Sequence, residues 1–380
     1  MKRFRKKILF VHLLNDYSGS PLVLSQVINS VSTDEFDKHL FTSTSSFSGF
    51  LSELKDVETH HFWYKWSTNP WWRLVTYSIS QLLLFFRLLT YWRSDCIIYV
   101  NTLLPFGAGL AGKLMGKKVV YHVHETSMKP AALKKFLRFV ANTTATGVFH
   151  VSNYLAEKEK FTTPANKVLY NSLSDTFVSV CQKYHETPNS GKPFSVLMLC
   201  SLKIYKGVEE FVALSHLMPH IEFELVLNAT PEEVSDYVSK ALIPHNLKIH
   251  SSQKNVHPFY QRSSLVLNLS HPDKWIETFG MTALEAMYYK LPVIVPPIGG
   301  IAEIVVDGYN GFHVDYRSLH IIQQKIDLLV LDNALYNTLS ANAYKYAQTF
   351  SESEFRQKIN ETLNGFIHSS APVPKTAFTQ

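Results

Sequence analysis

The stretch SSLVLNLSHPDKWIETFGMTALEAMYYKLPVIVPPIGG, residues 263–300, carries the clearest statement about the fold. It contains an apolar run, a polar loop with Pro272, a run with helical spacing and a second apolar run. Strand, loop, helix and strand in this order form the repeating unit of a parallel sheet. The helix is predicted to begin near Thr278, a residue type that suits the N-cap, and to end near Lys290.

The same alternation extends along the 380 residues and predicts doubly wound parallel sheets. The apolar runs are KILFVHLL, CIIYVN, KVVYHVHE, GVFHVS and NKVLYNS in the first half, and FSVLMLCS, FELVLNA, NLKIHS, SSLVLNLS and LPVIVPP in the second. The polar segment at 181–193 is predicted to link two domains, 1–185 and 186–350. Residues 351–380 are predicted to form a helix that returns to the first domain, followed by a frayed tail. A ligand site is expected in a crevice between the domains.

The composition excludes several classes of protein. Hydrophobic residues make up 46% of the chain and charged residues 18%, which argues against disorder. The three cysteines are far apart and none forms a CxxC pair, so neither a disulfide framework nor a zinc site is predicted. The basic start of the chain is interpreted as leading into a first buried strand, not as a signal peptide. Residues 74–92 are predicted to be a buried or interfacial helix, because Gln81 and Arg87 interrupt their apolar run.

Positive charge is concentrated in the first half. Residues 1–185 carry 22 Lys and Arg against 12 Asp and Glu, whereas the remainder carries 15 against 19. The segment KPAALKKFLRF, 129–139, sets basic beside apolar side chains, and residues 63–89 are rich in aromatic and aliphatic side chains. Together these features favour docking of the first domain on an anionic membrane surface through Lys134, Lys135 and Arg138. The alternative is that both segments pack on the sheet.

The helix in the opening stretch has the features of a phosphate site. Free amides at a helix N-terminus bind phosphate, and Gly280 leaves room for a close approach. The amides concerned are those of Phe279, Gly280, Met281 and Thr282. Glu277 and Glu285 would repel a phosphate that they touched, so we interpret them as acceptors for hydroxyl groups on either side of it.

The spacing of these residues is similar to that of a known family. EtFGmtalEAM from Glu277, then PVI, then GGIAEIVVDGYNG, resembles the retaining glycosyltransferases of family 4, which have the GT-B fold of two Rossmann-like domains. The resemblance covers most of the chain and is strongest after Phe194. It implies that Glu285 binds the ribose of a nucleotide diphosphate sugar and that Glu277 binds the transferred sugar.

The resemblance also assigns a cation. Lys206, in SLKIYKGVEEFVAL, would neutralise the departing diphosphate. Many relatives carry an arginine at the position of Ser201, and Lys203 is the candidate substitute. Relatives usually have glycine at the position of Lys290, where a left-handed residue ends the helix. Gly299 would form part of a tight turn near the crevice.

In the first domain the resemblance points to two residues. Gly19 lies in the first loop, NDYSGSP, at the place of the glycine-bearing loop of relatives. His124, at the end of KVVYHVH, would face the transferred sugar. His122 lies on the same face of that strand, but no third ligand is spaced to complete a metal site. The resemblance implies metal-independent transfer with no cofactor.

The predicted function is therefore retaining transfer of a sugar to a carbohydrate or lipid-linked acceptor, in surface polysaccharide or glycolipid assembly. The predicted location is cytoplasmic, peripheral on the inner face of the membrane, with no nucleic-acid partner. Two alternatives stay open: a nucleotide-sugar epimerase or hydrolase of the same fold, and a non-catalytic protein that binds a nucleotide sugar.

Overall fold

The computed structural model describes residues 5–45, 48–163, 165–185 and 193–368. The chain divides into two compact units. The first unit runs to Tyr170 and resumes at Ser353, and the second unit comprises Asn171–Glu352. Each unit is built around its own parallel sheet, which confirms the predicted α/β class.

The first unit has a sheet of seven parallel strands in its described residues. The strands are β1 (Lys6–Val11), β2 (Phe36–Ser43), β3 (Glu58–Phe62), β4 (Cys96–Asn101), β5 (Lys118–Val123), β6 (Gly147–His150) and β7 (Ala165–Val168). The helices between them are α1 (Gly19–Ser30), α2 (Pro70–Leu89), α3 (Phe106–Leu114), α4 (Ala131–Thr144) and α5 (Asn153–Lys158). The strand order is β3-β2-β1-β4-β5-β6-β7, so the succession of strands reverses direction between β1 and β4.

The second unit repeats this plan with six parallel strands among its described residues. The strands are β8 (Ser195–Ser201), β9 (Glu222–Asn228), β10 (Leu247–His250), β11 (Leu265–Leu267), β12 (Val293–Val295) and β13 (Gly311–His313). The helices are α6 (Asp175–His185), α7 (Val208–Leu217), α8 (Pro231–Lys240), α9 (His257–Arg262), α10 (Met281–Tyr288), α11 (Ile301–Ile304), α12 (Leu319–Leu331) and α13 (Asn333–Ala347). The order is β10-β9-β8-β11-β12-β13, and it reverses between β8 and β11.

Strand β1 shows why the apolar runs were good predictors. It pairs with β2 on one side and β4 on the other, so it lies inside the sheet. Its residues from Ile8 to Val11 are all fully buried. A parallel strand covered on both faces has no solvent side, and its sequence is continuously apolar instead of alternating.

The last helix, α14 (Glu352–His368), belongs to the first unit from Ser353 onward. Phe355, Ile359 and Leu363 recur every four residues on one face and are part of the core of that unit. The side-chain amide of Asn360 donates to the carbonyl of Ser30 at 3.0 Å, which ties the helix to the end of α1. The tail at 369–380 lies outside the described residues.

The division between the units differs from the predicted boundary at 185/186. Helix α6 lies in the second unit, where the ring of Phe177 packs on His257 with centroids 4.4 Å apart. The thiol of Cys181 donates to the carbonyl of Tyr288 at 3.3 Å. The predicted linker at 181–193 therefore begins inside a packed helix, and its residues 186–192 lie outside the described residues. Helix α6 supplies apolar side chains that the second unit buries, so the division falls before it.

The apolar segment predicted at 74–92 corresponds to α2 and the turn after it. Within the described residues, no helix combines the length and the apolar content that crossing a bilayer requires.

Candidate functional site

The two strand reversals mark where each sheet leaves an opening at its carboxyl edge. In the second unit the opening lies between β8 and β11, because their connections leave in opposite directions. Ligands of open α/β sheets bind at such a point. The loop after β8 contains Lys206 and the loop after β11 contains Glu277, so both predicted residues stand at the same opening.

A short 3-10 turn, Ile204–Lys206, positions the lysine. The amide of Lys206 donates to the carbonyl of Lys203 at 2.9 Å. Gly207 follows in the left-handed region with a φ of 79°, and a Cβ there would collide with the backbone and side chain of Leu269. The glycine after the lysine is required because the β8 loop packs directly on the β11 loop.

Lys206 and Glu277 form a salt bridge at this opening, and both side chains are largely buried. The hydroxyl of Ser270 donates to the same carboxylate oxygen at 2.8 Å. The ammonium of Lys206 lies 5.3 Å from the ring centre of Trp275. Burial alone would raise the pKa of Glu277, but Lys206 and hydrogen bonds from Ser270 and Asn268 hold the pKa below its ordinary value. Glu277 is therefore ionised at neutral pH.

The start of α10 differs from the prediction. The helix begins at Met281, and the residue before it is Gly280 in the left-handed region, so Thr278 is not the N-cap. A Cβ on Gly280 would lie 2.5 Å from Cγ1 of Ile301. Close packing against α11 thus explains both the glycine and the later start. Thr282 is in the first turn of the helix.

The turn before α11 supports the same loop. Gly299 has a φ of 114°, and a Cβ there would lie 2.5 Å from the carbonyl oxygen of Glu277. The ring of Phe279 is buried and meets that of Phe350 with centroids 5.9 Å apart. The loop around Glu277 is consequently held from both sides.

Glu285 is the fifth residue of α10 and receives a hydrogen bond from the hydroxyl of Tyr260 at 2.6 Å. Burial raises the pKa of Glu285 to about 7, although the Tyr260 hydrogen bond lowers it. Tyr260 is fully buried and stacks on Tyr289 with ring centroids 5.5 Å apart. Tyr260 was not predicted, because no sequence motif marks a buried tyrosine on α9.

Lys203, the candidate substitute for the arginine of relatives, lies on the same loop as Lys206. Its side chain is exposed and lines a cavity of about 580 Å³ with Asn228 and Tyr237, on the β9 side of the loop. Lys290 ends α10 with a φ of 59°, the left-handed conformation expected where relatives have glycine. The amide of Leu291 donates to Ala286 and that of Lys290 to Met287, which together make a Schellman motif.

The first unit has a polar cluster at its own strand reversal. Asn101 ends β4, and its side-chain oxygen lies 2.8 Å from Nε2 of His124, the residue after β5. Its amide nitrogen donates to the carbonyl of Ser20 at 3.0 Å and lies 3.1 Å from Nδ1 of His12. Since the oxygen of Asn101 can only accept, His124 carries its proton on Nε2. Sequence analysis did not identify His12 or Asn101.

The environment keeps these histidines neutral. Burial lowers the pKa of His124 well below its ordinary value, and it lowers the pKa of His12 to about 4. His122 is also buried, 2.9 Å from the hydroxyl of Tyr99, and burial lowers its pKa to about 3. A neutral histidine donates or accepts a hydrogen bond but brings no charge to a ligand.

Close packing on the first loop requires a glycine at position 49, whereas the predicted approach of Gly19 to the donor stays a prediction. Gly19 is the exposed first residue of α1, and a Cβ there would meet no atom within 4 Å. A Cβ on Gly49 would lie 2.6 Å from the amide of Asp16, and the side-chain oxygen of Asn15 accepts the amide of Leu51 at 3.1 Å. The segment around Gly49 therefore closes over the β1 loop.

Two of the basic residues predicted to meet a membrane have another role. Lys134 and Arg138 both form salt bridges with Glu159, which is buried. The hydroxyl of Thr126 also donates to this carboxylate. Of the three predicted side chains on α4, Lys135 remains exposed. These ion pairs give Lys134 and Arg138 a structural role, because a buried carboxylate requires charged partners, and their contact with a membrane stays a prediction.

Comparison with solved structures defines the fold. A crystal structure of HepE from Anabaena in complex with UDP and glucose has a TM-score of 0.75 at 20% identity, covering 95% of this chain and all of that one. Sucrose-phosphate synthase from Thermosynechococcus elongatus has a TM-score of 0.76 at 15% identity, covering 96% and 100%. The fold is GT-B, with two Rossmann-like units.

Sequence comparison finds one matching family model and several relatives. Residues 182–346 match the model of the family Glycosyl transferases group 1. An uncharacterized glycosyltransferase of Methanocaldococcus jannaschii is 30% identical over 158 residues, 42% of this chain. A capsular polysaccharide biosynthesis glycosyltransferase of Staphylococcus aureus is 23% identical over 232 residues, 58% of this chain. The matched regions span 37% and 59% of the length of these two relatives.

Proposed function

We propose that the protein is a retaining glycosyltransferase of family 4, which moves a sugar from a nucleotide diphosphate sugar to an acceptor hydroxyl without a metal. One observation carries the proposal. The segment that matches group 1 pairs Lys206 with Glu277 at the strand reversal between β8 and β11, where ligands of such sheets bind, and it carries Glu285 on the helix that follows β11.

The proposed reaction assigns a role to each of these side chains. The bond between the anomeric carbon and the phosphate oxygen breaks, and the acceptor oxygen attacks from the same face. The acceptor proton passes to the departing phosphate oxygen. Lys206 stabilises the charge that grows on the diphosphate, while Glu277 accepts hydroxyls of the transferred sugar. Glu285 accepts the ribose hydroxyls.

The pairing of Lys206 with Glu277 supports this division of roles. A carboxylate beside a diphosphate would repel it, but the salt bridge makes the pair neutral overall. The lysine then stands between the carboxylate and the departing charge. In the first unit, we assign to the neutral His124 a hydrogen bond with the transferred sugar.

The relatives suggest which donors and acceptors to test first. The HepE structures contain UDP, glucose and UDP-glucose, which makes UDP-sugars the first donors to test. The staphylococcal relative acts in capsular polysaccharide biosynthesis, which favours a carbohydrate or lipid-linked acceptor.

The deciding experiment measures release of nucleotide diphosphate from a donor panel, with and without acceptor sugars and lipid-linked sugars. We expect release that depends on the acceptor, and a product that keeps the anomeric configuration by NMR. Release of nucleotide diphosphate without any acceptor would identify a hydrolase. Conversion of the donor sugar into another sugar would identify an epimerase. Tight binding of the donor without turnover would identify a non-catalytic protein. An inverted product would exclude the retaining mechanism.

The second part of the proposal is that the first unit docks on an anionic membrane through α2, α3 and α4. The buried face of α2 is partly polar, because Thr76, Ser80 and Gln81 are buried there beside Leu84 and Leu88. Thr76 donates to the carbonyl of Lys65 at 2.8 Å, and Gln81 accepts the amide of Gly107 at 3.2 Å. Its exposed face is apolar, with Trp71 78% exposed and Phe86 59% exposed. A helix whose outer face meets only water usually carries polar side chains there, so this exposed apolar face indicates an interaction surface.

The apolar surface continues beyond α2. Helix α3 packs between α2 and α4, and the ring of Phe106 meets Tyr77 at 5.8 Å and Phe136 at 5.1 Å. The exposed apolar residues on the three helices are Trp71, Trp72, Leu74, Val75, Ile79, Leu82, Leu83, Phe86, Leu110, Leu114, Phe136 and Phe139. We call this set the apolar surface of the first unit.

Charge favours an anionic lipid surface as its partner. Residues 63–140 carry eleven Lys and Arg but only two acidic residues, Asp95 and Glu125. Each basic residue near an anionic leaflet contributes about 1 kcal/mol, in addition to burial of the apolar surface. A lipid-linked acceptor would lie in the same surface.

A further inference from the structure

We propose that His39, Glu58 and His60, with Tyr91, form a zinc-binding site at the edge of the first unit. His39 is on β2, while Glu58 and His60 are on β3, the outermost strand of the sheet. Tyr91 follows α2. This proposal rests on its own residues and does not depend on the proposed transferase activity.

The distances between the candidate ligand atoms carry the argument. Nδ1 of His39 lies 3.1 Å from Nε2 of His60. Each of these nitrogens lies 3.3 Å from an oxygen of Glu58. The hydroxyl of Tyr91 lies 3.4 Å from Nδ1 of His39 and 3.3 Å from Nε2 of His60.

These separations match a tetrahedral zinc ion. With Zn–N and Zn–O bonds of 2.0–2.1 Å, ligand atoms at the corners of a tetrahedron are about 3.3–3.4 Å apart. The three separations among the two nitrogens and the Tyr91 hydroxyl, from 3.1 to 3.4 Å, follow that edge length. Each nitrogen also lies 3.3 Å from a different oxygen of Glu58, so this carboxylate would bind through one oxygen or through both. Two imidazoles and one carboxylate are a ligand set that zinc uses, and the tyrosine hydroxyl or a water can fill the fourth position.

The protonation of the histidines is compatible with a metal. Burial lowers the pKa of His39 and of His60, despite the opposing effect of Glu58. Neutral imidazoles are the form that binds a metal. A histidine–histidine hydrogen bond would explain the separation of the two nitrogens but not the convergence of Glu58 and Tyr91 on both.

Some neighbouring residues favour binding of a cation at this site, and others oppose it. The ring of Phe41 stacks on His60 at 4.7 Å and fixes its orientation. Lys7 and Arg87 are close enough to lower the histidine pKa values, so they also repel a cation. The carboxylate of Glu58 offsets this repulsion in part, and its side chain is 64% exposed, which leaves a route for the ion.

A bound ion would join three parts of the first unit. It would hold the edge strand β3 to β2 and fasten both to the turn after α2. Since an edge strand has neighbours on one side only, such a link would stabilise the margin of the sheet against unfolding.

The test uses the full chain without a histidine tag, freed of metal with a chelator and then titrated with Zn²⁺ against a coloured indicator. We expect one equivalent to bind and the melting temperature to rise. Co²⁺ should give the strong visible absorption of a tetrahedral site. His60→Gln and Glu58→Gln should each weaken zinc binding by more than about tenfold.

The matched control is His61→Ala, which removes the neighbouring histidine of the same strand, an exposed one. It should keep the affinity and the cobalt spectrum of the wild type. Because Glu58 is exposed, Glu58→Gln tests the site without disturbing the buried His39. Wild-type protein that binds no zinc, or equal affinity in the wild type and in His60→Gln, would overturn the proposal.

Discussion

At the scale of one residue, the pKa of Glu285 predicts how stability and donor binding depend on pH. Its pKa of about 7 in the folded protein lies above the ordinary value of about 4.3. Its contribution to stability is therefore complete below pH 4.3 and is lost as pH rises through 7. Ribose hydroxyls would donate to the carboxylate and lower that pKa, so donor binding should release a proton.

Donor affinity should consequently increase by up to about tenfold between pH 6 and pH 8. Isothermal titration at several pH values measures this dependence. Glu285→Gln removes this one ionisation and leaves the other titratable groups of the protein unchanged. The variant should bind the donor more weakly, and its affinity should depend less on pH. The same slope in the variant and the wild type would show that Glu285 does not bind the ribose.

Lys206 should affect turnover more than donor binding. We expect Lys206→Ala to lower kcat by about 100- to 1000-fold, with a smaller change in KM, because the charge it stabilises grows in the transition state. The variant leaves Glu277 buried without its cation, so its melting temperature must be measured alongside. Lys206→Arg should recover part of the activity. A change confined to KM would assign Lys206 to ground-state binding.

At this scale the sequence identified motif residues better than their partners. Glu277, Glu285 and Lys206 were marked by spacing. Glu277 and Lys206 pair at the strand reversal of the second unit, and Glu285 lies on α10, the helix that follows β11. The salt bridge between Glu277 and Lys206 was not predicted, because it depends on β8 and β11 being neighbours. Tyr260 and Asn101 were missed for the same reason, since only the strand and helix arrangement brings them to Glu285 and His124.

Among the structural elements, the start of α10 is set by close packing. Gly280→Ala combines a left-handed backbone with a Cβ 2.5 Å from Cγ1 of Ile301. We expect a loss of about 2–4 kcal/mol in the free energy of unfolding. Gly308→Ala is the matched control: its φ is 70° but its Cβ would meet no atom within 4 Å, so it should cost about 1 kcal/mol. Urea denaturation measures both, and equal losses would mean that Ile301 moves away without cost.

Strands that are buried on both faces were predicted well. Helix ends that depend on the backbone conformation of single residues were predicted poorly. Continuous apolar runs revealed β1, β4 and β5, since strands covered on both faces have no polar side. The start of α10 was misplaced because Thr278 suits an N-cap, whereas a left-handed Gly280 precedes the helix in the structure. The left-handed Lys290 was anticipated from the family resemblance, because relatives usually have glycine at this position.

For the whole molecule, liposome binding tests the proposed docking surface. Wild-type protein should sediment with anionic vesicles at low salt and not with neutral ones, and added salt should release it. Lys135→Glu together with Trp71→Ser should weaken binding without unfolding the protein, because both side chains are exposed.

Lys134→Glu serves as the contrast, since it removes a partner of the buried Glu159 and should lower stability by about 3–5 kcal/mol. Equal sedimentation of the double variant and the wild type would exclude docking through this surface.

The return of α14 to the first unit has a consequence for biosynthesis. Residues from Asn171 to Glu352 form one uninterrupted stretch, whereas the core of the first unit also needs Phe355, Ile359 and Leu363. A ribosome that has released everything up to Glu352 has delivered the whole second unit but an incomplete first one. Domains usually mature in the order in which they are translated. Here the core of the first unit stays incomplete until α14 has been translated, after the whole second unit.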